Sequence, residues 1–288
     1  MSAPSLDRAL FDSPGPRGRR RIRYLSAVTL LAFVAVMALG LQRFAAHGQL
    51  AAGKWRPFTQ TGYLRFLWAG LRGTLLATGI SALLTFPLGT ALALARLSHR
   101  RPLRYLATGY VELLRGLPLL LVIYAFLLAL PTYGINLPIL WKLVVPIVMV
   151  NAAVVAETLR AGVRALDRGQ SEAAGALGLT HWQSLRAVVL PQAIRVVLPS
   201  LVAQLVTLVK DSTLGYVVSY PELMTQGNAL TVYTHLLIQT FLVIAAVYLA
   251  INIAISRLAT GLEARLRRPR PGRALRATML RSAGPPDR

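Results

Sequence analysis

Six charged residues stand where charge is costly. Glu112 and Arg115, Glu157 and Arg160, and Lys210 and Asp211 lie inside or at the edges of long apolar runs. A charged side chain at the centre of a membrane span costs about 2.5–3.5 kcal/mol on insertion scales, so each needs a partner or a task. A spacing of three sets Glu112 with Arg115, and Glu157 with Arg160, on one helix face, where each can pair within its own helix. A second reading gives the charges to a pathway. Gly116 and Pro118 loosen the backbone beside Arg115, whose guanidinium can hold a carboxylate by two parallel hydrogen bonds, and Lys210 offers a second cation. Two such cations attract an acidic or zwitterionic solute. Glu157 and Arg160, close to the end of their run, suit the pairing reading better.

Other chemistry is scarce. The chain has no cysteine, which excludes disulfides, thiol nucleophiles and cysteine-ligated metals. His47, His99, His181 and His235 stand far apart with no His-x-x-x-His pair, so no metal site is expected. No Gly-x-x-x-x-Gly-Lys-Ser/Thr loop occurs, so the chain cannot bind ATP in the P-loop manner. Without a nucleophile and base in suggestive spacing, no catalytic residue is assigned, and a membrane enzyme is the weakest of the functional classes.

The elements that must hold these charges are apolar. Of 288 residues, 55% are hydrophobic and 15% charged, where soluble domains carry about 25% charged residues. A span needs about 20 mainly apolar residues, and six runs qualify: Tyr24 to Leu41, Phe66 to Leu97, Leu103 to Leu130, Leu140 to Leu159, Val196 to Val218 and Thr234 to Leu258. They predict an all-α integral membrane protein. The first run lacks a small-x-small cleavage site and is long for a signal peptide, so it reads as an uncleaved anchor. The second must tilt or start on the surface, since 30 helical residues reach about 45 Å against a core of about 30 Å. Pro87, Pro118, Pro146 and Pro199 fall inside predicted spans and are expected to kink them, either for packing or beside a pathway.

The net charge of +22 would suggest nucleic acid in a soluble protein. Position decides otherwise. With six spans both termini share a side, which holds 24 of the 32 Lys and Arg residues against 4 opposite. Both termini are therefore expected in the cytoplasm, with membrane lipid rather than nucleic acid as the partner of the basic excess. The predicted organisation is a basic tail at 1–23, a first span at 24–41, an extracytoplasmic segment at 42–65, a transmembrane domain at 66–261 with a cytoplasmic loop at 166–195, and a basic tail at 262–288. No internal repeat suggests the inverted halves of a secondary transporter.

The cytoplasmic loop carries the strongest signal. Gln170 to Leu177 holds helix formers and small residues, Gly178 suits a left-handed helix end, and Thr180 can cap a second helix with Gln183 as capping-box partner. Pro191 is expected to interrupt that second helix. Ala173, Ala174, Ala176 and Gly178 leave room for a partner surface to approach the backbone.

The spacing Glu172-Ala173-Ala174, Gly178, Val188, Leu190-Pro191 resembles the EAA signature of ATP-binding-cassette (ABC) importer permeases, with Val188 where isoleucine is usual. VELLRGLPLL (Val111 to Leu120), AETLRAG (Ala156 to Gly162), RGQSEAAGALGL (Arg168 to Leu179), LPQAIR (Leu190 to Arg195) and LVKDSTLGYVVSYPEL (Leu208 to Leu223) resemble permeases for polar amino acids, and YGINLPILWKLVVPIV resembles the glutamate type. The resemblance covers about 66 to 261. It implies a five-helix type I importer core with one extra N-terminal helix, in the bacterial cytoplasmic membrane. It implies a second permease, identical or homologous, an ABC ATPase dimer that binds ATP and magnesium, and a solute-binding protein on outer loops including Tyr220-Pro221-Glu222 and 42–65. No cofactor is expected in this chain. Gly169, Glu172, Ala173, Ala174, Gly178, Leu190 and Pro191 are carried over to the loop that docks on the ATPase; Arg115, Lys210, Asp211, Glu112, Glu157 and Arg160 are the candidates for the pathway. The implied activity is ATP-driven import of a polar amino acid, foremost glutamate, then aspartate or glutamine. The alternative is a self-contained carrier or channel, which leaves the EAA loop without a role.

Overall fold

A computed structural model describes residues 15–267; the remainder of both basic tails, 1–14 and 268–288, lies outside the described residues. These are helical, with no strand among them. The chain divides into two compact units, Met1–Gln60 and Thr61–Arg288.

In the first unit, α1 runs over Pro16–Ala46, with Pro16 in its first turn, where the missing N–H is no loss. Its Leu30, Leu31, Phe33 and Val36 are exposed, as a helix solvated by lipid requires. After it come the single turn α2 (Ala52–Trp55) and a 3₁₀ turn (Arg56–Thr59). The Trp55 indole N–H donates to the Gln49 carbonyl at 2.9 Å, folding the segment back on itself.

The second unit begins with α3 (Thr61–Arg96), longer than its apolar run as the length argument requires. Next are α4 (Arg101–Gly116), α5 (Leu119–Tyr124), a π turn (Ala125–Ala129) and α6 (Leu130–Thr132). The axial helix α7 spans Ile139–Arg164. Beyond it stand α8 (Arg168–Ala176), α9 (His181–Ser184), a π turn (Leu185–Val189), α10 (Leu190–Asp211) and a 3₁₀ stretch (Ser212–Val218). α11 (Leu223–Thr234) and α12 (Leu237–Arg267) close the chain. Among the described residues five helical stretches are long and apolar enough to cross a membrane, and the bent pair Arg101–Gly116 with Leu119–Thr132 adds a sixth only if its two arms count as one span.

The core surrounds α7. At one level Leu143, Val144 and Ile147 pack with Ile123, Leu208 and Val218; at another Ala153, Ala156 and Leu159 pack with Ala93, Val111 and Val197. Contact between helices depends on small residues, because lipid tails are as apolar as leucine and only close fit favours association. A Cβ at Gly89 would stand 2.6 Å from Val155 Cγ1, so α3 meets α7 only because Gly89 has none.

Three expectations are corrected. The run Leu103 to Leu130 is not one straight span: its two arms meet at 101°. Proline disfavours helical geometry in the residue before it, and Leu117 is extended (φ −98°, ψ 133°), as is Pro118 (φ −62°, ψ 130°). Pro87, Pro146 and Pro199, by contrast, stay inside continuous helices. Pro191 does not interrupt its helix either. The π turn before it takes the Leu190 N–H to the Leu185 carbonyl, and the proline enters the first turn of α10, so helix continues from His181 to Val218. Finally, of Tyr220-Pro221-Glu222 only Pro221 is exposed; Tyr220 and Glu222 turn inward and are buried.

Candidate functional site

The loop after α7 is built by local capping. The Asp167 carboxylate accepts the Gly169 N–H at 2.7 Å and starts α8. α8 presents Gly169, Glu172 and Ala173 to solvent and turns Ala174, 3% exposed, inward. Gly178 follows at φ +79°, a conformation that side chains other than glycine's adopt at a cost, with nothing near its missing Cβ. The Thr180–Gln183 box forms in both directions: the Thr180 N–H donates to Gln183 Oε1 at 2.8 Å, and the Gln183 N–H to Thr180 Oγ1 at 3.4 Å. Leu177 (82% exposed), after α8, and Trp182, in α9, project from the loop. Leu190 and Pro191 open α10, so α9, the π turn and α10 form one continuous helical stretch.

The loop also touches its neighbours. The His181 ring lies 4.0 Å from that of His99 and its Nε2 is 3.2 Å from the Leu97 carbonyl, while the Gln192 amide donates to Gln170 Oε1 at 3.1 Å. A cavity of about 650 Å³ lined by Leu97, Arg164, Asp167, Gln170 and His181 lies beneath.

At this same end of the bundle Glu157 gathers three arginines. Arg160 pairs with it along α7, Arg96 of α3 reaches it at 2.6 Å and Arg115 of α4 at 3.8 Å; Arg96 also lies 3.9 Å from Glu112. Glu157 and Arg160 thus pair as their spacing indicated. Glu112 and Arg115 do not pair with each other but through Arg96 and Glu157. Arg96, whose side chain is 7% exposed, was missed because it ends an apolar run, where it reads as an ordinary topological charge.

Midway along the bundle lies a polar group that sequence reasoning found only in part. The Asn151 amide of α7 donates to Asp211 Oδ2 at 2.8 Å and to the Ile147 carbonyl at 2.9 Å; the Gln204 amide donates to Asn151 Oδ1. Lys210 points elsewhere, exposed on the face of α10 that also carries Ser200, Ala203 and Thr207. Adjacent helical residues diverge by about 100°, which is why Asp211 binds Asn151 and leaves Lys210 open. Asn151 and Gln204 had a signal: an amide within an apolar span is rare and needs a partner.

The geometry defines a multi-pass helical membrane protein with a capped, exposed loop fused to one span and a polar line through its middle. Residues 85–268 match the family described as binding-protein-dependent transport system inner membrane component. The chain belongs to that family, whose members are membrane permeases of ABC transporters. It is 35% identical over 247 residues to the glutamate transport system permease protein GluD of Corynebacterium glutamicum, covering 84% of this chain and 89% of the relative. It is 36% identical over 197 residues to a probable glutamine ABC transporter permease protein, GlnM, of Bacillus subtilis, covering 68% and 91%. The crystal structure of an amino acid ABC transporter with histidines superposes with a TM-score of 0.67 at 32% identity, covering 71% of this chain and 95% of that one. The fold is that of a type I ABC importer permease.

Proposed function

We propose that this chain is the permease subunit of an ATP-driven importer of a polar amino acid, with glutamate the foremost substrate and aspartate or glutamine next. The observation that carries the reading is the doubly capped turn at Gly178, exposed at its tip and continuous with α10. Glutamate and glutamine in the names of the relatives GluD and GlnM support the substrate class. The loop side faces the cytoplasm, as the positive charges indicate. Gly169, Glu172, Ala173 and Gly178 meet an ABC ATPase dimer, which binds ATP and magnesium; Ala174 supports them from within, and Leu190 and Pro191 pass the motion on. A second permease, identical or homologous, and an extracytoplasmic solute-binding protein complete the importer.

The substrate passes the polar line. Lys210 offers a cation to its carboxylate, and Asp211, held by Asn151, offers an anion to its ammonium group. Nearer the cytoplasm, the cluster of Glu112, Arg115, Glu157 and Arg160 closes the exit, and half-exposed Arg115 is the cation the substrate meets last. Nucleotide binding tilts a two-state balance by moving the loop, and the movement reaches Asp211 through α10.

Uptake of labelled glutamate into proteoliposomes holding the chain, its ATPase, its permease partner and its binding protein tests this. Uptake is expected only with ATP and binding protein present, with aspartate and glutamine competing better than arginine. Uptake by this chain alone would establish the carrier alternative instead.

A further inference from the structure

α4 has three faces rather than two. At 100° per residue, Ala107, Val111 and Leu114 fall on one side, and all three are buried against the bundle. Leu106 (75% exposed) and Leu113 (61% exposed) fall on a neighbouring sector with Leu103, three exposed leucines beside the half-buried Tyr110. Arg101, Arg104, Tyr105, Thr108 and Glu112 occupy the remaining side, with Arg100 just before the helix. An exposed leucine sector beside an arginine sector suits neither water alone nor hydrocarbon alone.

Its orientation resolves the conflict. The arm that follows, turned by 101°, runs along the bundle with Ile123 buried against Leu143 and Ile147, so α4 lies across the bundle axis. It lies at the loop end, where Arg115 and Glu112 meet Glu157 and Arg96. Within that belt the Tyr110 hydroxyl reaches toward the membrane interior to the Met149 carbonyl at 3.1 Å.

We propose that α4 lies in the membrane interface at the loop end and binds anionic phospholipid, with Leu103, Leu106 and Leu113 among the acyl chains and Arg100, Arg101 and Arg104 on the head groups. Amphipathic helices of this composition seat their apolar face at the boundary of head groups and chains, and basic side chains beside it concentrate anionic lipid. The Arg104 guanidinium lies 5.5 Å from the centre of the Tyr105 ring, which holds it at the polar side. Because Arg115 and Glu112 reach Glu157 and Arg96, the depth of α4 in the leaflet bears directly on the ends of α3 and α7.

The absence of cysteine makes the test direct. Full-length chain carrying Leu106→Cys, Leu113→Cys or Thr108→Cys is labelled with a fluorophore and placed in phosphatidylcholine vesicles with brominated acyl chains, with or without phosphatidylglycerol. Strong quenching is expected at 106 and 113 and little at 108, with quenching at 106 rising as phosphatidylglycerol is added. Arg101→Gln with Arg104→Gln should abolish that rise and weaken the preference for phosphatidylglycerol about fivefold per arginine. An unquenched label at 106 and 113, or disulfide cross-linking of Leu106→Cys to a second copy, would overturn the proposal in favour of a subunit contact. A rise that survives the double substitution would overturn the anionic part of it.

Discussion

Two carboxylates, a partly buried one at the loop end of the bundle and a fully buried one at the other, are held in opposite ways. Glu157 at the loop end is surrounded by cations: Arg96, Arg115 and Arg160 arrive from α3, α4 and α7. Glu222 at the other end is surrounded by neutral donors. The Met224 and Thr225 N–H groups reach it at 2.7 and 2.6 Å, and the Thr225 and Tyr248 hydroxyls both at 2.9 Å. The first arrangement ties three elements by charge and rearranges when one of them moves. The second is a helix cap packed in place, with Leu223 N–H on Thr74 and Tyr220 hydroxyl on the Gly73 carbonyl. In the importer proposed above, the first end is the one that moves and the second the one that stays anchored.

Breaking the movable end should have the largest effect. Glu157→Ala strands the buried Arg96 and the partly buried Arg160 without their anion, and leaving a buried charge such as that of Arg96 uncompensated costs about 3 kcal/mol. Thermal unfolding in detergent should show a clear drop in midpoint. At the anchored end, Glu222→Gln retains the shape but sets an amide NH2 against N–H and O–H donors that a carboxyl oxygen accepts, for a loss of about 2 kcal/mol by the same measurement.

Acidity sharpens the contrast. Burial pushes the Glu222 carboxyl up from its ordinary range, more than the N–H groups of Met224 and Thr225 draw it down. The folded protein then holds this proton more tightly than the unfolded chain does. Its contribution to stability is complete below the ordinary glutamate value and is lost as pH rises through the raised one. The difference in unfolding midpoint between the native chain and Glu222→Gln should therefore shrink from acid to neutral pH; a difference that grows with pH would refute the assignment.

Smaller effects belong to the middle and the loop. Asn151→Ala removes an interhelical bond of the sort that contributes about 0.6–1.7 kcal/mol in membranes, yet uptake should fall more than stability, because Asp211 loses its orientation. Asp167→Ala removes a helix cap worth about 1 kcal/mol. Hydrogen exchange should speed up over α8 while the remainder of the bundle is unchanged.

The loop was readable because its signals are local: Thr180 and Gln183 are three residues apart, and Gly178 needs no distant partner to adopt positive φ. The spans were readable because a long apolar run has few fates. What escaped was set by contacts distant in sequence. Four prolines looked alike, but only Pro118, with Gly116 two residues before it, follows a residue driven into extended geometry. Arg96 acquires its role from Glu157, 61 residues away. α11 was read as part of an outer loop because its start depends on Glu222 folding back over its own first turn, and Tyr248, which helps hold that carboxylate, belongs to the next helix.

The central claim is that the Gly178 turn carries force from a partner ATPase into α10. The most direct measurement is the ratio of amino acid imported to ATP hydrolysed in proteoliposomes with the native chain and with Gly178→Asp, alongside co-purification of the ATPase. The claim predicts that the variant still assembles and hydrolyses ATP but imports several-fold less per ATP. An unchanged ratio, with assembly intact, would contradict it.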